Sequence, residues 1–218
     1  GSHLSTQIYH LFAGTVSPNV MYRRVQKMLA RAVKDNAFKD DPEHMPLMVE
    51  TLVEVIFDPD HIHRDKFMHP LYEGLRLMQT IVAHGIATAI VSNVPHDWMM
   101  QYLHSPRLRK QFAFLNSNHI FTSGQLGALK PAAPVFEFIG KKFHLKPEDI
   151  LLIDDTPANI FGAHACKVNA VYFNHEEMPR VLKELRAAEV ITHKNESDLK
   201  REFSTVHTAT TFGQRTLF

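Results

Sequence analysis

The chain has very little cysteine: Cys166 is the single one in 218 residues. One thiol excludes an internal disulfide and fits a reducing, cytoplasmic compartment better than a secreted scaffold. In its Ala-His-Ala-Cys helical setting, Cys166 is expected to be a buried structural thiol, not a nucleophile. Long apolar runs are missing too. Nothing approaches the ~18 consecutive apolar residues of a membrane span, and there is no signal-peptide pattern. Excess charge of one sign is also absent, with 24 basic against 23 acidic residues and a net charge of +1. That balance argues for neither nucleic acid nor an anionic membrane surface. The 44% hydrophobic content of these 218 residues suffices for one good core and a small second lobe.

Along the chain the hydrophobic period changes several times. Gly1-Ser2-His3 resembles the scar of a cleaved tag and is set aside. Thr6 to Phe12 predicts a first strand, ended by Ala13-Gly14-Thr15. From Pro18 the apolar residues fall on a helical face (Met21, Val25, Met28, Leu29, Ala32, Val33) until Asp40-Asp41-Pro42 breaks it. Met45, Met48, Leu52, Val55 and Ile56 mark a second helix, closed by Asp58-Pro59. Residues 18–68 therefore predict a small helical lobe inserted after the first strand. His61 and His63 lie in the Pro/Asp-rich loop after it and are expected at the surface.

Tyr72 to His84 predicts another amphipathic helix, with Gly85 at its C-terminal cap. Strands follow at 86–91 and 120–122, then a Gly-bearing loop from Ser123 to Gly127 and a helix from Pro134 to Phe143. Ile150–Ile153 is apolar enough for a buried strand, and Ala170–Phe173 is the last. Strands alternating with helices at this spacing predict a doubly wound, Rossmann-like parallel sheet. After the helix around Val181, Leu182 and Leu185 the pattern fades, and Thr205–Thr216 predicts a frayed or docking tail.

Polar residues gather where the predicted strands stop. The run Ile150–Ile153 ends at Asp154-Asp155, and Thr156-Pro157 opens a helix, with Thr156 placed to cap it. Such acids sit in the crevice at the carboxyl edge of the sheet, where α/β proteins bind ligands. A pair of adjacent carboxylates suits an oxygen-bound cation such as Mg2+. Ser92 and Asn93 follow the strand at 86–91, and Lys130 follows the loop after 120–122. A hydroxyl and amide for an oxyanion, an ammonium to neutralise it and carboxylates for a metal are the parts needed around a phosphoryl group.

Three stretches resemble motifs of the haloacid dehalogenase superfamily. Ile90-Val-Ser-Asn93 is similar to motif II, Gly127-Ala-Leu-Lys-Pro-Ala-Ala-Pro-Val-Phe136 to motif III, and Leu152-Ile-Asp-Asp-Thr-Pro-Ala-Asn-Ile-Phe-Gly-Ala163 to motif IV. Order and spacing match across residues 70–175, and the inserted helices resemble the family's C1-type cap. The resemblance implies a core of residues 4–17 and 69–190, a cap of 18–68 and a tail of 191–218. It also implies that Ser92, with Asn93, holds the transferring group and that Lys130 steadies its charge. Asp154 or Asp155 would then complete Mg2+ coordination, while Asn159 ties the motif IV loop.

Motif I departs from the family. There the first strand carries Asp-x-Asp-Gly-Thr, whose first Asp is covalent nucleophile and metal ligand and whose second is acid/base. Aligned on Gly14-Thr15 without a gap, Leu11 and Ala13 occupy those places. A one-residue bulge puts His10 at the nucleophile position instead. No carboxylate is recovered either way, and losing a covalent nucleophile removes most rate enhancement. Any Mg2+ is expected to be weakly held or absent. The expected function is a catalytically impaired protein with a binding or scaffold role, taking a small phosphorylated molecule or a protein partner. The alternative is an atypical Mg2+-dependent phosphatase that uses metal-bound water or His10. Dehalogenation is disfavoured, because it needs the missing carboxylate to attack carbon.

Overall fold

The computed structural model describes Tyr9, residues 12–57 and residues 71–211. His10, Leu11, His61 and His63 lie outside the described residues, as do most of the predicted first strand and the last seven residues of the chain. Two compact units are present. The first contains the described residues up to 57, Ile90–Ala113 and Ile120–Lys130; the second contains residues 71–89, Phe114–His119 and residues 131–211.

In the first unit, helix α1 (Pro18–Lys34) starts with Pro18 in its first turn, where no amide hydrogen is needed. Helix α2 (His44–Phe57) follows. Helix α1 ends at Lys34, ahead of the predicted break at Asp40-Asp41-Pro42, with Asn36 left-handed at φ 56°; the Asp41 carboxylate instead accepts the His44 amide at 3.0 Å and starts α2. Strand β1 (Ile90–Ser92) leads to α4 (His96–His104) and α5 (Pro106–Gln111), which follow α3 of the second unit (Tyr72–Ala83) in the chain. Strand β2 (Ile120–Thr122) runs parallel to β1, with Ser92 opposite Thr122, and short helix α6 (Ser123–Leu126) continues from it. Met21, Val25 and Trp98 form the buried core here, with Phe12, Val16, Tyr22, Val49 and Val94 packed against them.

In the second unit, α7 (Ala133–Phe143) precedes β3 (Leu151–Asp154), α8 (Pro157–Ala165), β4 (Asn169–Tyr172), α9 (Met178–Ala187) and α10 (His193–Thr211). Strands β3 and β4 pair in parallel, Asp154 opposite Tyr172. One core gathers Leu77 and Ile81 of α3, Val171, Phe173, the α9 face and Leu199 and Phe203 of α10. A smaller one holds Phe136, Ala163 and Val168. Parallel strand pairs linked through helices make this an α/β, Rossmann-like fold.

Four local expectations are corrected. Tyr9 and Phe12 are helical, and the Ala13 amide donates to the Tyr9 carbonyl at 2.9 Å, closing a helical turn where a strand was predicted. A short apolar run does not separate helix from strand. Residues 86–89 are not strand either: the Thr88 carbonyl accepts from the His119 ring at 3.2 Å, away from any ladder. Cys166 is partly exposed instead of buried. Where the pattern faded, α10 forms instead. Its polar sequence conceals two buried apolar residues, and ion pairs supply the rest of its anchoring. Glu196 bridges Arg186 and Lys200, and Glu202 meets Arg76 at 2.7 Å and hydrogen-bonds the Tyr72 hydroxyl. Gly85 does follow α3 in the left-handed region, at φ 77°.

Candidate functional site

In the first unit the site is built on the loop that leaves β1. Ser92 ends the strand half-buried, and its hydroxyl has no hydrogen-bond partner among the described residues. The Asn93 amide is committed to the main chain of Lys130. Its Nδ2 donates to the Lys130 carbonyl at 3.0 Å, and its Oδ1 accepts the Lys130 amide at 2.8 Å. A side chain that both donates to and accepts from one residue acts as a clamp. It brings Lys130 beside the Ser92 loop across 37 positions of sequence. Asn93 therefore has one N–H left for a ligand and serves chiefly to place Lys130.

The same loop grips the segment before α1. Ser123 is fully buried; its hydroxyl lies 2.5 Å from the Phe12 carbonyl and 3.3 Å from the Val94 carbonyl. Gly14 sits at φ 73°, and a Cβ there would stand 2.2 Å from the Gly124 carbonyl oxygen. Only glycine satisfies both the left-handed backbone and that close approach. Ala13 is buried beside it at 3% exposure. Thr122 caps α6 by accepting the Gln125 amide, and the His96 Nδ1 lies 3.3 Å from the same hydroxyl. Thr122, Ser123 and His96 were not singled out in the sequence. Their only signal was position, immediately after strand ends.

In the second unit, Asp154 ends β3 and is 7% exposed. Its Oδ1 accepts the Thr156 amide and the Asn159 Nδ2, both at 2.9 Å. Carboxylate-centred hydrogen bonds of this kind are the strong ones. Thr156 stands at the start of α8 but its side chain caps nothing; the Asp154 carboxylate takes the loop amide instead. Asn159, 6% exposed, ties the loop as the resemblance implied. Asp155 is exposed and touches only the Thr156 hydroxyl, at 3.4 Å, among hydrogen bonds to described residues. Farther along α8, a Cβ on Gly162 would stand 2.2 Å from the Pro131 Cβ, so glycine lets Pro131 lie flat on that helix.

A family model for haloacid dehalogenase-like hydrolases matches residues 10–173. The match spans both strand pairs and all three polar loops. The chain belongs to the haloacid dehalogenase-like hydrolase family.

The first acidic residue in the chain is Asp35, so no carboxylate stands near Gly14-Thr15 in sequence. Members of this family usually use Mg2+, and the donor set tests that directly. Among the described residues no group of three or more carboxylate, imidazole or thiolate side chains converges. Asp154 spends one oxygen on the loop, and Asp155 is its adjacent, exposed neighbour. Mg2+ demands near-ideal octahedral oxygen geometry and dehydrates reluctantly. Mg2+ usually keeps several waters and takes one or two protein carboxylates, so Asp154 and Asp155 are the residues that would hold it, with the Asp154 Oδ1 already engaged by the loop. No described helix is long and apolar enough to cross a membrane.

Proposed function

We propose that this chain is a haloacid dehalogenase-like protein that has lost covalent catalysis and works by binding. One observation carries the reading: the segment before α1 holds neither nucleophilic nor acid/base carboxylate, only His10, Leu11 and the buried methyl of Ala13. A methyl or isobutyl group attacks neither phosphorus nor carbon. The second loop keeps what binding needs. Ser92 offers an uncommitted hydroxyl, and Asn93 fixes the start of the Lys130 side chain nearby. A hydroxyl donor with an ammonium suits a phosphate or phosphate ester. Helices α1 and α2 belong to the cap of residues 18–68 in this reading, and the single thiol supports a reducing compartment.

Isothermal titration with inorganic phosphate tests the binding half: saturable binding, weakened by Lys130→Ala and Ser92→Ala, is expected. Mass spectrometry after incubation with an aryl phosphate tests the other half. No phosphoryl adduct is expected on any peptide; an adduct on His10 would establish histidine as the nucleophile and overturn the proposal.

A further inference from the structure

Helix α1 carries Arg23, Arg24, Lys27, Arg31 and Lys34 and no acidic residue at all. At 3.6 residues per turn these five fall within an arc of about 100°, in a row about 15 Å long from Arg24 to Lys34. All five are exposed. Met21 and Val25, on the other side of the helix, are buried in the first unit's core. Among the described residues Arg23, Lys27, Arg31 and Lys34 make no ion pair; the Arg23 Nε donates only to the Asn19 carbonyl.

Four of these five cations thus gain no ion pair among the described residues. Like charges three and four positions apart repel on a helix, as Arg23 with Lys27, Lys27 with Arg31 and Arg31 with Lys34 do here. Arg31 and Lys34 complement the C-terminal end of the helix dipole, but Arg23, Arg24 and Lys27 stand too far from it. An ordinary solvated helix interleaves its charges. Helix α10 does so, pairing Lys200 with Glu196 and Arg201 with Asp198.

We infer that the basic row of α1 is a docking surface for an acidic segment of a partner protein. This goes beyond the binding reading above and stands whether or not catalysis survives. The carboxylates that fit it are spaced three and four residues apart on a helix, matching the cations one for one. A membrane fits less well, since the apolar face that would enter the bilayer is buried in the core. A nucleic acid fits less well too. Tyr22, the one aromatic residue of α1, packs against that core and offers no stacking platform beside the cations.

The test is fluorescence anisotropy of a labelled synthetic helical peptide with Glu at three- and four-residue spacing, run at low salt. Saturable binding is expected, weakening steeply as ionic strength rises and the Debye length shrinks from about 10 Å to about 3 Å. Arg24→Glu combined with Arg31→Glu is expected to weaken it at least about tenfold, as reversed interface charges do. Circular dichroism checks that this variant stays folded. Reversing Lys141 and Lys142, in the last turn of α7, is expected to leave binding unchanged. Absence of peptide binding by the wild-type chain would overturn the inference, as would binding unaffected by charge reversal in α1. Tighter binding to phosphatidylserine vesicles or to polyuridylate than to the peptide would overturn the assignment to a protein partner.

Discussion

The two units solve the same local problem, holding a polar loop at the end of a parallel strand, by different means. After β1 a side chain grips a main chain: Asn93 takes both the amide and the carbonyl of Lys130. After β3 a main chain and a side chain grip a carboxylate: Thr156 and Asn159 converge on Asp154. The first arrangement leaves the Ser92 hydroxyl without a hydrogen-bond partner among the described residues. The second spends half of the acid on structure. The cores differ too: among the described residues, the larger core of the second unit gathers eleven buried residues and the cluster around Met21 in the first gathers three. In the proposed reading the second unit serves as scaffold and the Ser92 loop of the first takes the ligand.

Core truncation breaks this comparison most strongly. Leu182 and Met21 are both fully buried, and a large-to-alanine change in a core costs about 2–5 kcal/mol. Leu182→Ala is expected near the top of that range, because its eleven-residue core cannot collapse around the hole. Met21→Ala is expected nearer the bottom, since its neighbours are half-exposed and can relax. Urea unfolding of the two variants gives the order, and equal losses would erase the distinction between the cores.

The two asparagines come next. Asn159→Ala leaves the buried Asp154 short of a donor, and an unmet buried polar group costs about 1–3 kcal/mol. Its effect is expected on stability. Asn93→Ala frees the Lys130 loop, which is half-buried, so a smaller stability loss and a larger loss of phosphate affinity are expected. Phosphate titration alongside urea midpoints separates the two. Phosphate affinity falling more in Asn159→Ala than in Asn93→Ala would reverse the assignment.

The smallest expected effect is acid lability of α10. The Glu202 carboxyl is held below its ordinary 4.5 by its hydrogen bond from Arg76, and that of Glu196 by its hydrogen bond from Lys200. Because the folded-state values are depressed, this stabilisation is complete above the ordinary carboxylate range. It fades as pH falls through the folded values. The cationic partners Arg76, Arg186 and Lys200 are 38%, 43% and 43% exposed, so screening keeps the contribution small. Glu202→Gln is expected to flatten the fall of the urea midpoint between about pH 6 and about pH 3. An unchanged slope would show that this pair does not fasten the helix.

Much of the fold was legible because burial writes a period. Strand β2 and the starts of α1 and α3 fall where the apolar pattern put them, and β3 and β4 fall within a residue of it. Helix α10 was not legible. Its sequence is polar, Leu199 and Phe203 are the buried apolar residues among those described, and its other anchors are the ion pairs of Glu196 and Glu202, which leave no apolar period. The predicted strand at residues 6–12 failed at Tyr9 and Phe12 for the opposite reason, an apolar run too short to carry a period. Within the candidate site, Ser92 and Asp154 do end strands, and Lys130 lies in the loop that Asn93 clamps. The division of labour between Asn93 and Asn159 was invisible, because hydrogen-bond partners 37 and 5 positions apart carry no sequence signature.

The proposed loss of covalent catalysis is tested most directly by hydrolysis of a generic aryl phosphate, with and without Mg2+, by wild-type protein and by Asp154→Asn and His10→Ala variants. No turnover above buffer in any of them is the predicted result. Metal-dependent turnover by the wild type that disappears in Asp154→Asn would contradict the account and make this chain a working, atypical phosphatase.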